Sequence, residues 1–296
     1  MIDRGDDAEQ RLARIALQTL GAADARLTLL GRGLSSNAWL VFDDATGHEL
    51  VLRIAVTCAA RSTYEREHAV LARIVDTLTQ AEPCALRVPR PITGHWTLES
   101  PQAVNFSVTE WLNGPRLAPV HAAEAAAPIG RALRTLHDVD VHGLGLADTT
   151  RGWPFHDTPT HPTLDCRLSR WTDEIRQVIA TQPRVLVHGD LHDENILWPL
   201  ADPPDGSKVG FLDFGMASVG AAAWDFAALA YFLSWQVAGI ALMSYLQDDG
   251  DLARVTHQTQ LLALSFAHHR LVTAQDNHEI RHATAFIDQT LSALNS

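Results

Sequence analysis

Lysine is almost missing: Lys208 stands alone against 22 arginines, so wherever chemistry needs a fixed positive charge this chain of 296 residues has to use arginine. Cysteine is scarce as well. Cys58, Cys84 and Cys166 are odd in number, widely spaced and without a C-x-x-C pair, which argues against a disulfide framework or a thiolate metal site and makes a reducing cytoplasm the expected compartment. The amino terminus, MIDRGDDAEQ, is acidic where a signal peptide is basic, and no apolar segment follows it. The longest apolar run, residues 221–246, is interrupted by Asp225, Gln236 and Gly239 and reads as a buried helix or helix pair rather than a membrane span. Basic charge is also short. With 23 basic and 35 acidic residues the net charge is −12, which speaks against nucleic acid or an anionic membrane as partner and suits a neutral or cationic ligand.

What is present is a hydrophobic content of 46%, enough at this length for one or two domains with a real core. Residues 6–20 carry apolar residues at helical spacing and stop at Gly21. From Leu27 the period changes to strand-like alternation, with a Gly/Ser/Asn loop at 31–37 and a polar turn between Asp43 and His48. Ser62 with Glu65 forms a capping-box pattern that predicts a helix start, and Leu71, Ile74, Val75 and Leu78 form its apolar stripe. A further hairpin is expected before N-F-S-V-T-E-W-L-N-G. Residues 1–111 therefore read as a small, mostly antiparallel sheet crossed by one helix. From Asn113 onward the pattern is helical, apart from short strand-like pieces at 185–187 and 209–213 and a Gly/Pro/His-rich loop at 142–162. The acidic excess lies mainly in this second part, where 12 basic residues face 21 acidic ones.

The segment V-L-V-H-G-D-L-H-D-E-N-I-L sets His188, Asp190 and Asn195 in the pattern H-x-D-L-x-x-x-N, and Asp213-Phe214-Gly215 follows. Both are phosphoryl-transfer motifs: one carboxylate accepts the proton of an attacking hydroxyl, while an amide oxygen and a second carboxylate suit Mg²⁺. With these residues the chain, from Leu29 to about Leu246, resembles the aminoglycoside phosphotransferase and choline kinase family, small-molecule relatives of the protein kinases. The resemblance implies an α+β, two-lobed protein-kinase-like fold, with a small antiparallel β-rich N-lobe and a larger, mainly helical C-lobe. It implies lobes at 1–111 and 112–296, with a hinge near 109–114. It makes Asp190 the catalytic base, Asn195 and Asp213 the magnesium ligands, His188 structural, and Asp225 a brace for the catalytic loop.

In the N-lobe, Glu67 falls on the apolar stripe of its helix, and an acid on a buried face needs a cation. Arg53, in L-V-L-R-I, is the candidate, standing where the kinase pattern has a lysine that touches the α/β-phosphates. The loop G-R-G-L-S-S-N implies nucleotide contacts from Ser35, Ser36 and Asn37. T-E-W-L-N-G resembles the hinge, where the C=O of Glu110 and the N–H of Leu112 would meet adenine. The expected cofactors are ATP and Mg²⁺.

Only eight residues separate Gly215 from Trp224, too few for a segment that docks a peptide, so no protein substrate is expected. The acceptor expected is a small hydroxylated molecule, an aminoglycoside or other cationic amino sugar or amino alcohol, with antibiotic resistance as the role this implies. Asp157, Asp165, Asp173, Glu174, Asp248, Asp249 and Asp251 are available to line its cleft. A homoserine- or choline-type metabolite is the alternative, as is a non-catalytic nucleotide-binding protein. The expected assembly is a monomer or homodimer.

A rival motif is H-E-I-R-H at His278–His282, which on a helix is the zinc-peptidase pattern. Random placement yields that pattern ~0.03 times per chain and H-x-D-x-x-x-x-N ~0.02 times. A D-F-G triplet soon afterwards multiplies the second figure by ~0.003, so chance accounts for the kinase set far less easily. No third zinc ligand is found in the fourteen residues after His282. His278, Glu279 and His282 therefore read as the polar face of a helix whose other face is Ile280, Ala283, Phe286 and Ile287.

Overall fold

The computed structural model describes residues 4–22, 24–33, 36–44, 46–56, 60–80, 84–98, 104–148, 166–200, 207–247 and 251–295. The chain divides into two compact units, Met1–Asp76 with Val88–Asn113, and Thr77–Arg87 with Gly114–Ser296. Residues 77–87, counted above with the first part, thus belong to the second unit.

The first unit is a helix, α1 (Arg4–Thr19), and a five-stranded antiparallel sheet made of β1 (Arg26–Arg32), β2 (Ser36–Asp43), β3 (His48–Ala55), β5 (Pro91–Leu98) and β6 (Val104–Glu110) in the order β1-β2-β3-β6-β5. Alternation along the strands decides which face is filled. Trp39, Val41, Leu52, Ile54, Phe106 and Val108 pack with Ala13, Ala16 and Leu17 of α1. The residue between Leu52 and Ile54 is Arg53, which the same alternation turns to the opposite face. The helix α2 (Ala60–Gln80) buries Tyr64, Glu67, His68, Val70, Leu71 and Ile74, one stripe at three- and four-residue spacing. It begins at Ala60, so Ser62 lies inside the first turn and not at the cap position expected for it.

The second unit holds α3 (Ala122–His137), α4 (Thr172–Thr181), α5 (Ala223–Phe232), α6 (Trp235–Leu246), α7 (Leu252–Thr273) and α8 (Asn277–Leu294). Strands β7 (Arg184–Val187) and β10 (Ser218–Ala221) pair antiparallel. Beside them β4 (Leu86–Arg87), β9 (Val209–Phe211) and β8 (Ile196–Leu197) form a three-stranded sheet. Residues Ala223–Tyr231 of α5 are all buried, which is why its sequence is apolar all round, and the long run at 221–246 resolves into α5 and α6. Among the described residues no helix is long and apolar enough to cross a membrane.

Two features of this unit carry direct tests. At Gly130 in α3 the backbone of α6 approaches so closely that a Cβ would fall on the carbonyl of Ala241. Gly130→Ala should cost about 1–3 kcal/mol through forced separation of the helices, read as a lowered denaturation midpoint; an unchanged midpoint would contradict the close approach. On α7, burial, with the charges of Arg270 and His268, pushes His269 down to about 4 from its ordinary 6.5. A histidine held neutral stabilises the fold above its unfolded value and loses that contribution as pH falls toward the folded one. Stability should therefore decline between about pH 6.5 and pH 4, and His269→Gln should flatten that decline in denaturant titrations across the window.

Candidate active site

In the first unit the structure brings Arg53 and Glu67 together. The Nη1 of Arg53 donates to both carboxylate oxygens of Glu67, at 2.6 and 2.8 Å, and its guanidinium lies 5.5 Å over the ring of Tyr64. The two side chains are only 16% and 4% exposed, so the pair is desolvated and held by geometry rather than left in water. The cross-strand neighbours of Arg53 are Ala38 and Ser107, both small, which leaves room for a bulky guanidinium on that face of the sheet.

The expected phosphate loop is shorter than its sequence suggested. Ser36 and Asn37 are the first residues of β2, buried and paired with Ala55 and Ile54, and the turn closes with Gly33 N–H donating to the C=O of Ser36. Ser35 lies outside the described residues. At the other end of the sheet Glu110 is the last residue of β6. Its N–H donates to Arg90 and that of Trp111 to Glu49, and Leu112 follows where the strand has ended.

In the second unit the catalytic-loop motif runs from the end of β7 through a single helical turn at Asp193–Asn195 into β8. Three constraints shape it. Asp225, wholly buried at the start of α5, accepts hydrogen bonds from the backbone N–H groups of His188 (2.9 Å) and Gly189 (3.0 Å). Gly189 adopts φ +84° and lies so close to Met216 that a Cβ would strike the Met216 carbonyl, a position only glycine fills without strain. Third, Leu212 is held at both its backbone groups: its N–H donates to the C=O of Asn195 (2.9 Å) and its C=O accepts from Nε2 of His188 (2.8 Å).

The next residue, Asp213, stands in the left-handed region at φ 58°, ψ 74°, with Oδ1 accepting from Gly215 N–H. Such a conformation in a non-glycine residue is costly and recurs at sites of function. The motif residues Asp190, Asn195 and Asp213 are thus tied into one short network. Asp190 is 37% exposed at its side chain, open to a reactant.

The residues present fit a hard cation. The C=O of Asp190 can only accept, so the amide atom 2.9 Å from it is the Nδ2 of Asn195, and the oxygen is the other atom of the amide. An amide oxygen and a nearby carboxylate are the donor types Mg²⁺ takes, with the phosphates of a nucleotide completing the set.

Two residues of the brace were not anticipated. His137, at the end of α3, approaches Asp225 at 3.1 Å through Nε2 and the hydroxyl of Tyr245 at 3.2 Å through Nδ1. Burial alone would raise the pKa of Asp225, yet the hydrogen bond and charge of His137, with His188, hold it below the usual carboxylate range. Burial pushes Tyr245 up to about 12, so its hydroxyl keeps its proton. The signal in the sequence was a histidine on a buried face, one turn beyond Leu133 and two beyond Ile129.

His192 is a further case. The motif leaves it without a role, yet its side chain is 22% exposed and its ring packs 5.3 Å from that of Phe232.

Other nominated residues are engaged elsewhere. Asp173 pairs with Arg176, Glu174 with His257, and Asp251 caps α7; Asp157, Asp165, Asp248 and Asp249 lie outside the described residues. In the H-E-I-R-H segment, Asp276 accepts from the N–H groups of His278 and Glu279, Glu279 accepts from Gln275 N–H, and His282 meets the C=O of Tyr231. That arrangement starts a helix; it assigns Glu279 and His282 to structural partners.

Replacing Asp225 by alanine leaves the His188 and Gly189 N–H groups without their acceptor inside a dry core. The expected loss is about 3–5 kcal/mol in denaturant unfolding, and a loss below ~1 kcal/mol would contradict the bracing role.

A family model described as "Phosphotransferase enzyme family" matches residues 26–260. No curated protein matches the chain. Among solved structures, the GDP complex of aminoglycoside 2'-phosphotransferase-IIIa superposes with a TM-score of 0.68 at 15% identity, covering 96% of this chain and 98% of that one. A thermostable mutant of aminoglycoside phosphotransferase APH(4)-Ia, in a ternary complex with ADP and hygromycin B, gives 0.66 at 15% identity, covering 95% and 97%. An ethanolamine kinase of Plasmodium vivax gives 0.64 at 13% identity, covering 91% and 82%. At these identities the likeness is one of fold, and it is the two-lobed kinase-like architecture expected from the motifs.

Proposed function

Because this chain belongs to the phosphotransferase enzyme family, we propose that it moves the γ-phosphoryl group of ATP to a hydroxyl of a small cationic acceptor, an amino sugar or amino alcohol. The observation that carries the reading is the network through Leu212, which ties Asn195 and His188 to the residue before Asp213 while Asp225 fixes the loop bearing Asp190.

In this reading Asp190 accepts a hydrogen bond from the acceptor hydroxyl, orients its oxygen for in-line attack and takes its proton as the bond to phosphorus forms. Asn195 and Asp213 would hold Mg²⁺, which when bound neutralises charge on the transferred group. Arg53, fixed by Glu67, is assigned to the α/β-phosphates, a task a planar guanidinium performs while still bridging a carboxylate. Ser36 and Asn37, at the start of β2, are assigned to the triphosphate together with Ser35. The segment around Glu110 and Leu112 is assigned to the base. Since the transition state is loose, placement and electrostatics account for most of the rate.

The net charge of −12 supports a cationic acceptor. Hygromycin B and ethanolamine, named with two proteins of similar fold, are both amine-bearing alcohols. A homoserine-type acceptor is the second reading, and one observation favours it: Arg270 lies 5.4 Å over Phe232, whose ring meets His192 beside the base, a cation suited to a carboxylate. A screen of ADP release over aminoglycosides, choline, ethanolamine and homoserine separates the two.

With the acceptor so found, Asp190→Ala should lower kcat by at least ~10²–10⁴-fold while nucleotide affinity stays near that of the parent protein, and Asp213→Ala should weaken binding of Mg-ATP itself. Comparable turnover in the Asp190 variant would remove it from the role of base. Mg-ATP binding without ADP release on any hydroxylated acceptor would mark a non-catalytic protein.

A further inference from the structure

The motif H-x-D-L-x-x-x-N gives no role to His192, yet its imidazole stands between the groups assigned to proton transfer and to metal. Nε2 lies 3.0 Å from Nδ2 of Asn195 and 3.8 Å from Oδ2 of Asp190; Nδ1 lies 3.3 Å from Glu194 N and 3.7 Å from Oδ1 of Asp193. Hydrogen-bond chemistry orders these contacts. The amide atom of Asn195 facing Nε2 is the same one that faces the Asp190 carbonyl, which can only accept, so that atom is a nitrogen carrying two protons. Both ring nitrogens thus face a donor, a neutral ring accepts at only one of them, and the shorter contact selects Nε2 as the acceptor from Asn195. The 3.3 Å approach of Glu194 N–H to Nδ1 is the longer contact and the one that this tautomer gives up.

We infer that His192 is a positioning residue: by accepting from Asn195 it pins the carboxamide in one of its two flips and presents the oxygen, not the nitrogen, to the metal. The inference rests on the assignment of Asn195 as metal ligand. An amide has two faces of nearly equal shape, and one hydrogen bond to the Asp190 carbonyl leaves it free to rock about that bond; a second acceptor on the same nitrogen fixes the plane. The packing of the ring against Phe232, itself in edge-on contact with Tyr231 and Phe266, keeps that acceptor in place.

The test is a titration of Mn²⁺, followed by electron paramagnetic resonance, into the full chain saturated with ADP, which needs no acceptor and no turnover. His192→Phe keeps an aromatic ring against Phe232 but has no acceptor; it should weaken Mn²⁺ binding about 10–100-fold with an unchanged melting temperature. His192→Gln, which can place an oxygen near the same spot, should recover most of that loss. In the background of Asn195→Ala, His192→Phe should have no further effect, because it acts through the amide. Mn²⁺ affinity in His192→Phe equal to that of the parent, with Asn195→Ala weakened, overturns this inference alone. Parent-like affinity in Asn195→Ala overturns the metal assignment on which it rests.

Discussion

A carboxylate sealed from water and held by two backbone amides is the constraint on which the second unit is built. Asp225 cannot be solvated, so its hydrogen bonds to His188 and Gly189 are the terms on which a charge is tolerated there at all, together with His137. Those bonds fix the turn after β7, and Gly189, at positive φ, lets that turn lie on the Met216 backbone. From there only four residues separate Asp190 from Asn195, whose carbonyl meets Leu212, one residue before Asp213. The loop that carries Asp190 and Asn195 is thus joined by backbone bonds to the residue before Asp213.

The first unit solves a different electrostatic problem. Its cation is an arginine in a chain that almost lacks lysine, and the change is accommodated by the sheet: Ala38 and Ser107 flank Arg53, and Tyr64 offers a ring to the guanidinium. Glu67 takes one terminal nitrogen of Arg53 with both its oxygens. A guanidinium has a fixed fork of donors, which is what lets one group serve a carboxylate and a phosphate together.

Much of this was legible in the residues. Helical spacing put Glu67 on the buried stripe, the resemblance to the kinase pattern nominated Arg53 as its partner, and the two motifs contained Asp190, Asn195 and Asp213. The failures have physical causes. Ser62 looked like a cap because Ser-x-x-Glu is a helix-start pattern, but α2 begins at Ala60, two residues before it. Ser36 and Asn37 looked like loop because serine and asparagine favour turns, whereas the ladder with β3 overrides that preference. His137 and Tyr245 went unseen because their partner is 88 residues away in one case and reached only through the first in the other. Nothing in the sequence around His192 foretells the ring of Phe232 against it, forty residues further along the chain.

The central claim is that Asn195 and Asp213 form a metal site completed by a nucleotide. Calorimetric titration of ATP into the protein with and without Mg²⁺ tests it most directly. The account predicts binding that strengthens by at least ~10-fold when Mg²⁺ is present, since two oxygen donors of the protein wait for the ion. Equal affinity with and without Mg²⁺, or no binding in either buffer, would contradict it.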